Sequence, residues 1–224
     1  KLTVAWKDDN TIYVGTNFGP GSATRSGLPR VIKEWKRGTP LSEAQLLFEV
    51  KETDLAARCW RSFDHDIKRD FCSRDIDFEH NELSIRGADG KLVHVDKPQD
   101  SDAGVWEDDL LLKLRSDFTH GGVTFKKGAL LITKLKGSLA GKDGVTAADP
   151  KREIQVLFEP TKQSSLADWS GTKTHIITNV LSDVKNQLTV FTRDAKGKWT
   201  GAPVKEERAS VEVWAVDPNR SDDA

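Results

Sequence analysis

The chain has 224 residues with 35 acidic and 34 basic side chains, a formal charge of -1. With no dominant sign and no long block of like charge, it has no field to hold a polyanion, so nucleic acid is not an expected partner. Its longest clean apolar runs, such as Ala129-Leu130-Leu131-Ile132, fall far short of the roughly 20 residues that span a bilayer. No membrane partner is expected, and a soluble cytoplasmic or periplasmic setting fits the composition.

Taken in chain order, short alternating or β-branched runs fall at residues 2–6, 11–16, 30–36, 46–50, 82–86, 91–96, 154–158, 175–180, 188–192 and 210–216. Each has the length of a strand. Between them stand Lys7-Asp8-Asp9-Asn10, Gly87-Ala88-Asp89-Gly90 and Asp194-Ala195-Lys196-Gly197, whose Asx and glycine residues supply hairpin geometry, so the pairing is expected to be mostly antiparallel. Two short stretches have weak helical spacing, 41–48 after Pro40 and 108–114; the second reads equally well as a buried strand. With no alternation of strand and helix, a sandwich, a barrel or a propeller remains. Residues 17–29, with three glycines and two prolines, and 136–150, rich in glycine, alanine, lysine and aspartate, read as exposed loops.

Internal repetition favours the propeller, which repeats a four-stranded sheet every 40 to 50 residues or so. Gln45-Leu46-Leu47-Phe48-Glu49 recurs as Gln155-Val156-Leu157-Phe158-Glu159, and Trp6-Lys7-Asp8-Asp9 recurs as Trp106-Glu107-Asp108-Asp109. Tryptophans 6, 60, 106, 169 and 214 are spaced by 54, 46, 63 and 45 residues, which suits one large side chain per blade wedged between neighbouring sheets. Trp35 and Trp199 do not fit that spacing, and a β-sandwich with chance spacing stays open. The expected architecture is all-β: a partial β-propeller of about four blades, each a mostly antiparallel four-stranded sheet, at residues 1–52, 53–100, 101–160 and 161–218. The chain has no methionine, even at position 1, and its first residues alternate like a strand, so both ends read as cuts within a larger fold.

Catalytic constellations are not found in the pattern. No serine has the flanking glycines of a nucleophile elbow: Ser22 has Pro20 two residues before it, and Ser26, Ser138 and Ser170 lack the glycines. Cys59 and Cys72 could face each other across a hairpin, but two buried thiols is the preferred reading, and His65 between them is not placed to act as a base. Asp64-His65-Asp66 reads as a polar turn rather than a metal site. Residues 137–142 fall one short of a phosphate loop and precede Asp143. The pairs Asp8-Asp9 and Asp108-Asp109 read as solvated turns. Catalytic, cofactor and metal residues are therefore all expected to be none.

One resemblance goes further. The stretch from Trp6 to Arg30, with Gly19-Pro20-Gly21 and Ser26-Gly27-Leu28-Pro29 at its heart, resembles the propeller of bacterial prolyl oligopeptidase-family serine peptidases. The likeness continues through residues 31–41, Leu110 to Asp117, Gly121-Gly122, Gly128 to Leu131, Val156-Leu157-Phe158 and Val213-Trp214-Ala215-Val216-Asp217-Pro218. Leu28 stands where the family tends to carry an aromatic residue, and Phe118 where it carries tryptophan. The resemblance implies the middle of a seven-bladed propeller that covers an α/β-hydrolase catalytic domain of the same polypeptide and admits short peptides, cleaved after proline by that other domain. The loop 17–30, with Asn17, Arg25 and Arg30, is then expected to face the channel or the domain interface. A stand-alone propeller that binds a protein or a carbohydrate is the competing reading.

Overall fold

Alternation and turn chemistry translate into strands almost everywhere. The computed structural model describes residues 1–140, 148–205 and 210–224, which form eighteen strands and three short 3-10 turns. Among the described residues no helix is long and apolar enough to cross a membrane. The residues fall into two units: Lys1–Phe63 with Ile67–Asp100 and Leu139–Ala148, and Asp64–Asp66 with Ser101–Ser138 and Asp149–Ala224.

The first unit holds two antiparallel meanders. One runs β1 (Thr3–Asp8), β2 (Thr11–Gly15), β3 (Val31–Lys36) and β4 (Gln45–Glu49) in that spatial order; the other runs β5 (Ala56–Ser62), β6 (Arg69–Asp75), β7 (Asn81–Arg86) and β8 (Leu92–Val95). Tight turns fix the registers: Asp8 Oδ1 accepts the Asn10 N–H at 3.0 Å, and Asp89 Oδ1 accepts the Lys91 N–H at 3.1 Å. Tyr13, Ile32, Val50, Ala57, Cys59 and Cys72 form the core of this unit, with Phe48 and Leu92 against it.

Cys59 and Cys72 are directly opposite in the β5–β6 ladder, with Cα atoms 4.1 Å apart, and are joined as a disulfide. This corrects the expectation of two free thiols. Burial suits a thiol and a disulfide equally; only the register of β5 and β6, set by the 64–66 turn, tells them apart.

The second unit has a sheet ordered β14-β13-β10-β9, built from β9 (Asp102–Trp106), β10 (Asp109–Lys113), β13 (Leu130–Lys134) and β14 (Ile154–Phe158). Between β10 and β13 a two-stranded ribbon, β11 (Phe118–His120) and β12 (Val123–Phe125), turns on Gly121 and Gly122, both at positive φ. Its Phe118 lies against Phe125 and His120. The last sheet is the meander β15 (Ser164–Gly171), β16 (His175–Ser182), β17 (Lys185–Arg193) and β18 (Trp199–Pro203). Trp106, Leu111, Leu130, Ile132, Leu157, Leu166, Ile176, Phe191 and Trp199 close the core of this unit.

Both copies of the Gln-x-x-Phe-Glu motif lie on the fourth strand of their sheets, and both copies of the Trp-x-Asp-Asp motif lie at the first hairpin. The first strands β1, β5, β9 and β15 carry Trp6, Trp60, Trp106 and Trp169. Their environments differ, which corrects the idea of one wedged tryptophan per sheet. Trp106 is 3% exposed, and Trp169 packs against the core of the second unit. Trp6 is 58% exposed and Trp60 37%.

Other expectations change as well. Residues 41–48 are not helical: a single 3-10 turn, Leu41–Glu43, leads into β4, because the β3 edge offers Gln45–Glu49 a full ladder. Residues 108–114 form the buried strand β10. Residues 210–216 form no strand; Val211 is held by the side chains of Asn179 and Asn186, and the Ala215 N–H donates to Ser170 Oγ, in place of a ladder. Ser138 and Ala148, expected in an exposed loop, are buried; Gly141, Lys142, Asp143 and Gly144 lie outside the described residues.

Candidate functional site

The loop between β2 and β3 is long, but it is tightly organised. Asn17 Oδ1 accepts the Gly19 N–H at 2.9 Å, an Asx turn that starts the fold-back. Ser22, which is buried, is the hub: its Oγ accepts the Phe18 N–H at 3.0 Å and donates to the Gly19 carbonyl at 2.6 Å. Gly19, Gly21 and Gly27 all sit at positive φ, a region where a side chain is strained. Further on, the Thr24 N–H donates to Leu28 O and the Gly27 N–H to Thr24 O, while Ala23 pairs with Pro29 as an isolated bridge.

The loop is also tied to the connection between β4 and β5. Thr24 Oγ1 and Ser26 Oγ both donate to Leu55 O at 3.0 Å, and the Arg25 N–H donates to Glu52 O at 2.9 Å. That connection is itself fixed by Asp54, whose buried carboxylate takes a two-pronged hydrogen bond from Arg74 at 2.8 and 3.0 Å and the Lys51 N–H at 2.7 Å. The Arg74 guanidinium, with the Lys51 amide behind it, holds the Asp54 carboxyl below the ordinary carboxylate range against the opposing effect of burial.

The three residues singled out in sequence separate into two kinds. Asn17 is exposed and spends its side chain on the turn. Arg30 is structural: its Nε donates to Gly21 O at 2.5 Å, Nη1 to Val50 O at 3.4 Å, and Nη2 meets the Glu49 carboxylate at 2.5 Å. Arg25 is displayed, with a side chain 73% exposed and only a 3.9 Å approach to Glu52, a contact worth little in water. Reading from sequence missed Ser22 and Thr24 as the residues that shape the loop; Asn-x-Gly and Ser-Gly pairs were the available signal.

Elsewhere the structure assigns framework roles. Asp64–Asp66 is a turn with His65 at positive φ; the His65 ring stands edge-on to Trp106, 4.9 Å between centroids, with Nε2 2.9 Å from Lys173 O. Asp109, expected in a solvated turn, is instead 2% exposed and paired with Lys134 at 2.7 Å and Arg193 at 2.5 Å. Arg193 lies 5.5 and 5.4 Å from the rings of Trp106 and Trp199; this cation-π seat, formed from β17 and residues far away in sequence, is what takes Asp109 out of water. Among the described residues no group of three or more His, Cys, Asp or Glu converges as a metal site.

Consecutive four-stranded antiparallel meanders of this kind match the propeller domain of the prolyl oligopeptidases. The chain superposes on a post-proline cleaving enzyme from Rickettsia typhi with a TM-score of 0.78 at 23% identity, over 91% of this chain and 30% of that one. It superposes on oligopeptidase B from Leishmania major with a TM-score of 0.56 at 12% identity, over 91% and 27%. No family model matches the sequence. Among curated proteins it is 32% identical over 208 residues to an uncharacterized peptidase of Sinorhizobium fredii, covering 89% of this chain and 27% of that protein. It is 24% identical over 201 residues to an uncharacterized peptidase of Rickettsia prowazekii, covering 87% and 27%. The chain thus spans about a quarter, 27%, of the length of these curated relatives, and what it resembles is the propeller portion of prolyl oligopeptidase-family peptidases.

Proposed function

We propose that the four sheets are consecutive blades of an incomplete propeller ring, and that this ring is the substrate-gating domain of a proline-specific serine oligopeptidase. In this reading the chain binds and excludes; an α/β-hydrolase domain of the same polypeptide supplies the serine, the histidine and the oxyanion donors for acyl transfer to water. Short peptides reach that domain and folded proteins do not. The observation that carries the reading is the TM-score of 0.78 with a post-proline cleaving enzyme over 91% of the chain. The loop 17–30 supports it: it is hydrogen-bonded within itself and to the β4–β5 connection and presents Arg25 outward, the arrangement expected of a contact loop on a fixed scaffold.

The test uses the full-length polypeptide. Arg25→Glu is expected to lower cleavage of a short proline-containing peptide by about tenfold through weakened domain closure, with the melting temperature of the propeller unchanged. Arg30→Glu is expected to lower that melting temperature. Unchanged cleavage and domain association in both variants would overturn the role of the loop, and serine-dependent turnover of a chromogenic prolyl dipeptide by the 224-residue chain alone would overturn the division of labour.

A further inference from the structure

Within the first unit, at the end of the sheets opposite the loop 17–30, Trp6, Phe63, Arg37, Lys68 and Asp9, together with Lys7 and Asp8, line an open cleft of about 540 Å³. That volume is in the range of small-ligand sites. Two of its lining side chains are exposed aromatics, Trp6 58% and Phe63 46%, and apolar surface gathered in one cleft, unlike a single exposed side chain, is informative.

The charges can be sorted by what already occupies them. Lys7 is bonded to Glu34, and Asp8 accepts the Asn10 N–H. For the side chains of Arg37, Lys68 and Asp9, and for the indole N–H of Trp6, no hydrogen bond or ion pair is found among the described residues. What remains without a partner is Arg37, Lys68 and Asp9 around two aromatic faces, and the lining as a whole, Lys7, Arg37 and Lys68 against Asp8 and Asp9, carries one net positive charge. That balance suits one negative charge attached to an apolar group, and it is poorly matched to a dianionic phosphate. A guanidinium and an ammonium can share a carboxylate, the rings can cover a side chain, and Asp9 can take a backbone N–H.

From this geometry we propose that the cleft binds the free C-terminal carboxylate of a peptide whose last side chain is apolar, Arg37 and Lys68 holding the carboxylate and Trp6 and Phe63 the side chain. The proposal rests on the peptide-handling reading above only in choosing a peptide as the carrier of the carboxylate. Its test needs no hydrolase domain, so its failure leaves that reading standing.

The experiment is a titration of the chain labelled with 5-fluorotryptophan, the Trp6 resonance assigned with Trp6→Phe. The probes are N-acetyl-alanyl-phenylalanine, its C-terminal amide, and benzoate. The free acid is expected to shift the Trp6 signal saturably with a Kd of about 1 mM or below and to leave the Trp106 signal in place, with the amide about tenfold weaker. Arg37→Glu with Lys68→Glu is expected to abolish the shift. Equal binding of acid and amide, no saturation by about 20 mM, or survival of binding in the double variant overturns the proposal. Benzoate binding as tightly as the dipeptide overturns the assignment to peptide ends. Should the double variant fail to fold, the comparison of acid with amide on the unaltered chain still decides.

Discussion

The two units use the same repeat, a four-stranded meander with a tryptophan on its first strand, and stabilise it by different means. In the second unit the tryptophans interlock with glycines: Trp169 lies over Gly104 of β9, where an added Cβ would fall 2.5 Å from its ring, and Trp106 lies over Gly171 of β15, where an added Cβ would overlap the indole. The Trp106 N–H donates to Thr172 O at 2.8 Å, so the buried indole is satisfied. In the first unit Trp6 and Trp60 stay at the surface, and charge takes their place. Arg61 grips Asp70 at 2.6 and 2.7 Å, Glu34 joins Lys7 and Arg86, and Tyr13 is buried beside them. The Cys59–Cys72 bond adds a covalent tie. In the second unit the packing of both tryptophans goes with a glycine on the facing first strand, Gly104 for Trp169 and Gly171 for Trp106.

The sharpest way to break this comparison is to remove one tryptophan from each unit. Trp106→Ala is expected to cost about 3–5 kcal/mol through the cavity it leaves, whereas Trp6→Ala should stay within about 0.5 kcal/mol; equal losses in urea unfolding would erase the distinction. Removing the disulfide through Cys59→Ser with Cys72→Ser, 13 residues apart, should cost roughly 3 kcal/mol by chain entropy. Amide exchange should quicken across β5–β8 and stay slow in β15–β18. Asp70→Asn, which leaves the Arg61 charge half-buried without its counter-ion, is expected to cost about 2 kcal/mol, less than a fully dry pair because solvent reaches its rim.

The smallest expected effect is a pH dependence. Burial raises the Glu34 and Asp70 carboxyls, but their cationic partners outweigh it and leave both lowered; Asp54 is lowered chiefly by Arg74. A carboxyl lower in the folded than in the unfolded chain contributes stability that is complete above the unfolded value of about 4 and lost as pH falls through the folded one. The amide protection factors of the first unit, exchange rates corrected for the intrinsic slowing of exchange in acid, should therefore fall below about pH 4. A flat profile between pH 5 and 3 would show that the charge cluster contributes no net stability.

Much of the architecture was legible from residue pattern. Asp89-Gly90 and Asp194-x-x-Gly197 predicted turns that the chain makes, and the resemblance carried by residues 6–30 pointed to the fold that superposition finds. Among the strands missing from the pattern were β5 and β6, where Arg58, Arg61 and Arg74 interrupt the apolar signal; Asp75 answers Arg58, Asp70 answers Arg61, and Asp54 with Glu82 answers Arg74. The loop was recognisable as a loop, but the contrast between Arg25 and Arg30 was not, since it depends on carbonyls at Gly21 and Val50 that only the folded backbone brings to Arg30.

The amino-acid order by itself determined the strand period, the hairpins and the repeat of tryptophans, because those depend on neighbours within a few residues. Tertiary structure alone decided which tryptophan is buried, that Cys59 meets Cys72, and that Asp109 leaves water for Arg193. Each of these requires a particular partner across a ladder or on another strand, up to 84 residues away for Arg193 and Asp109, and no local pattern encodes such a meeting.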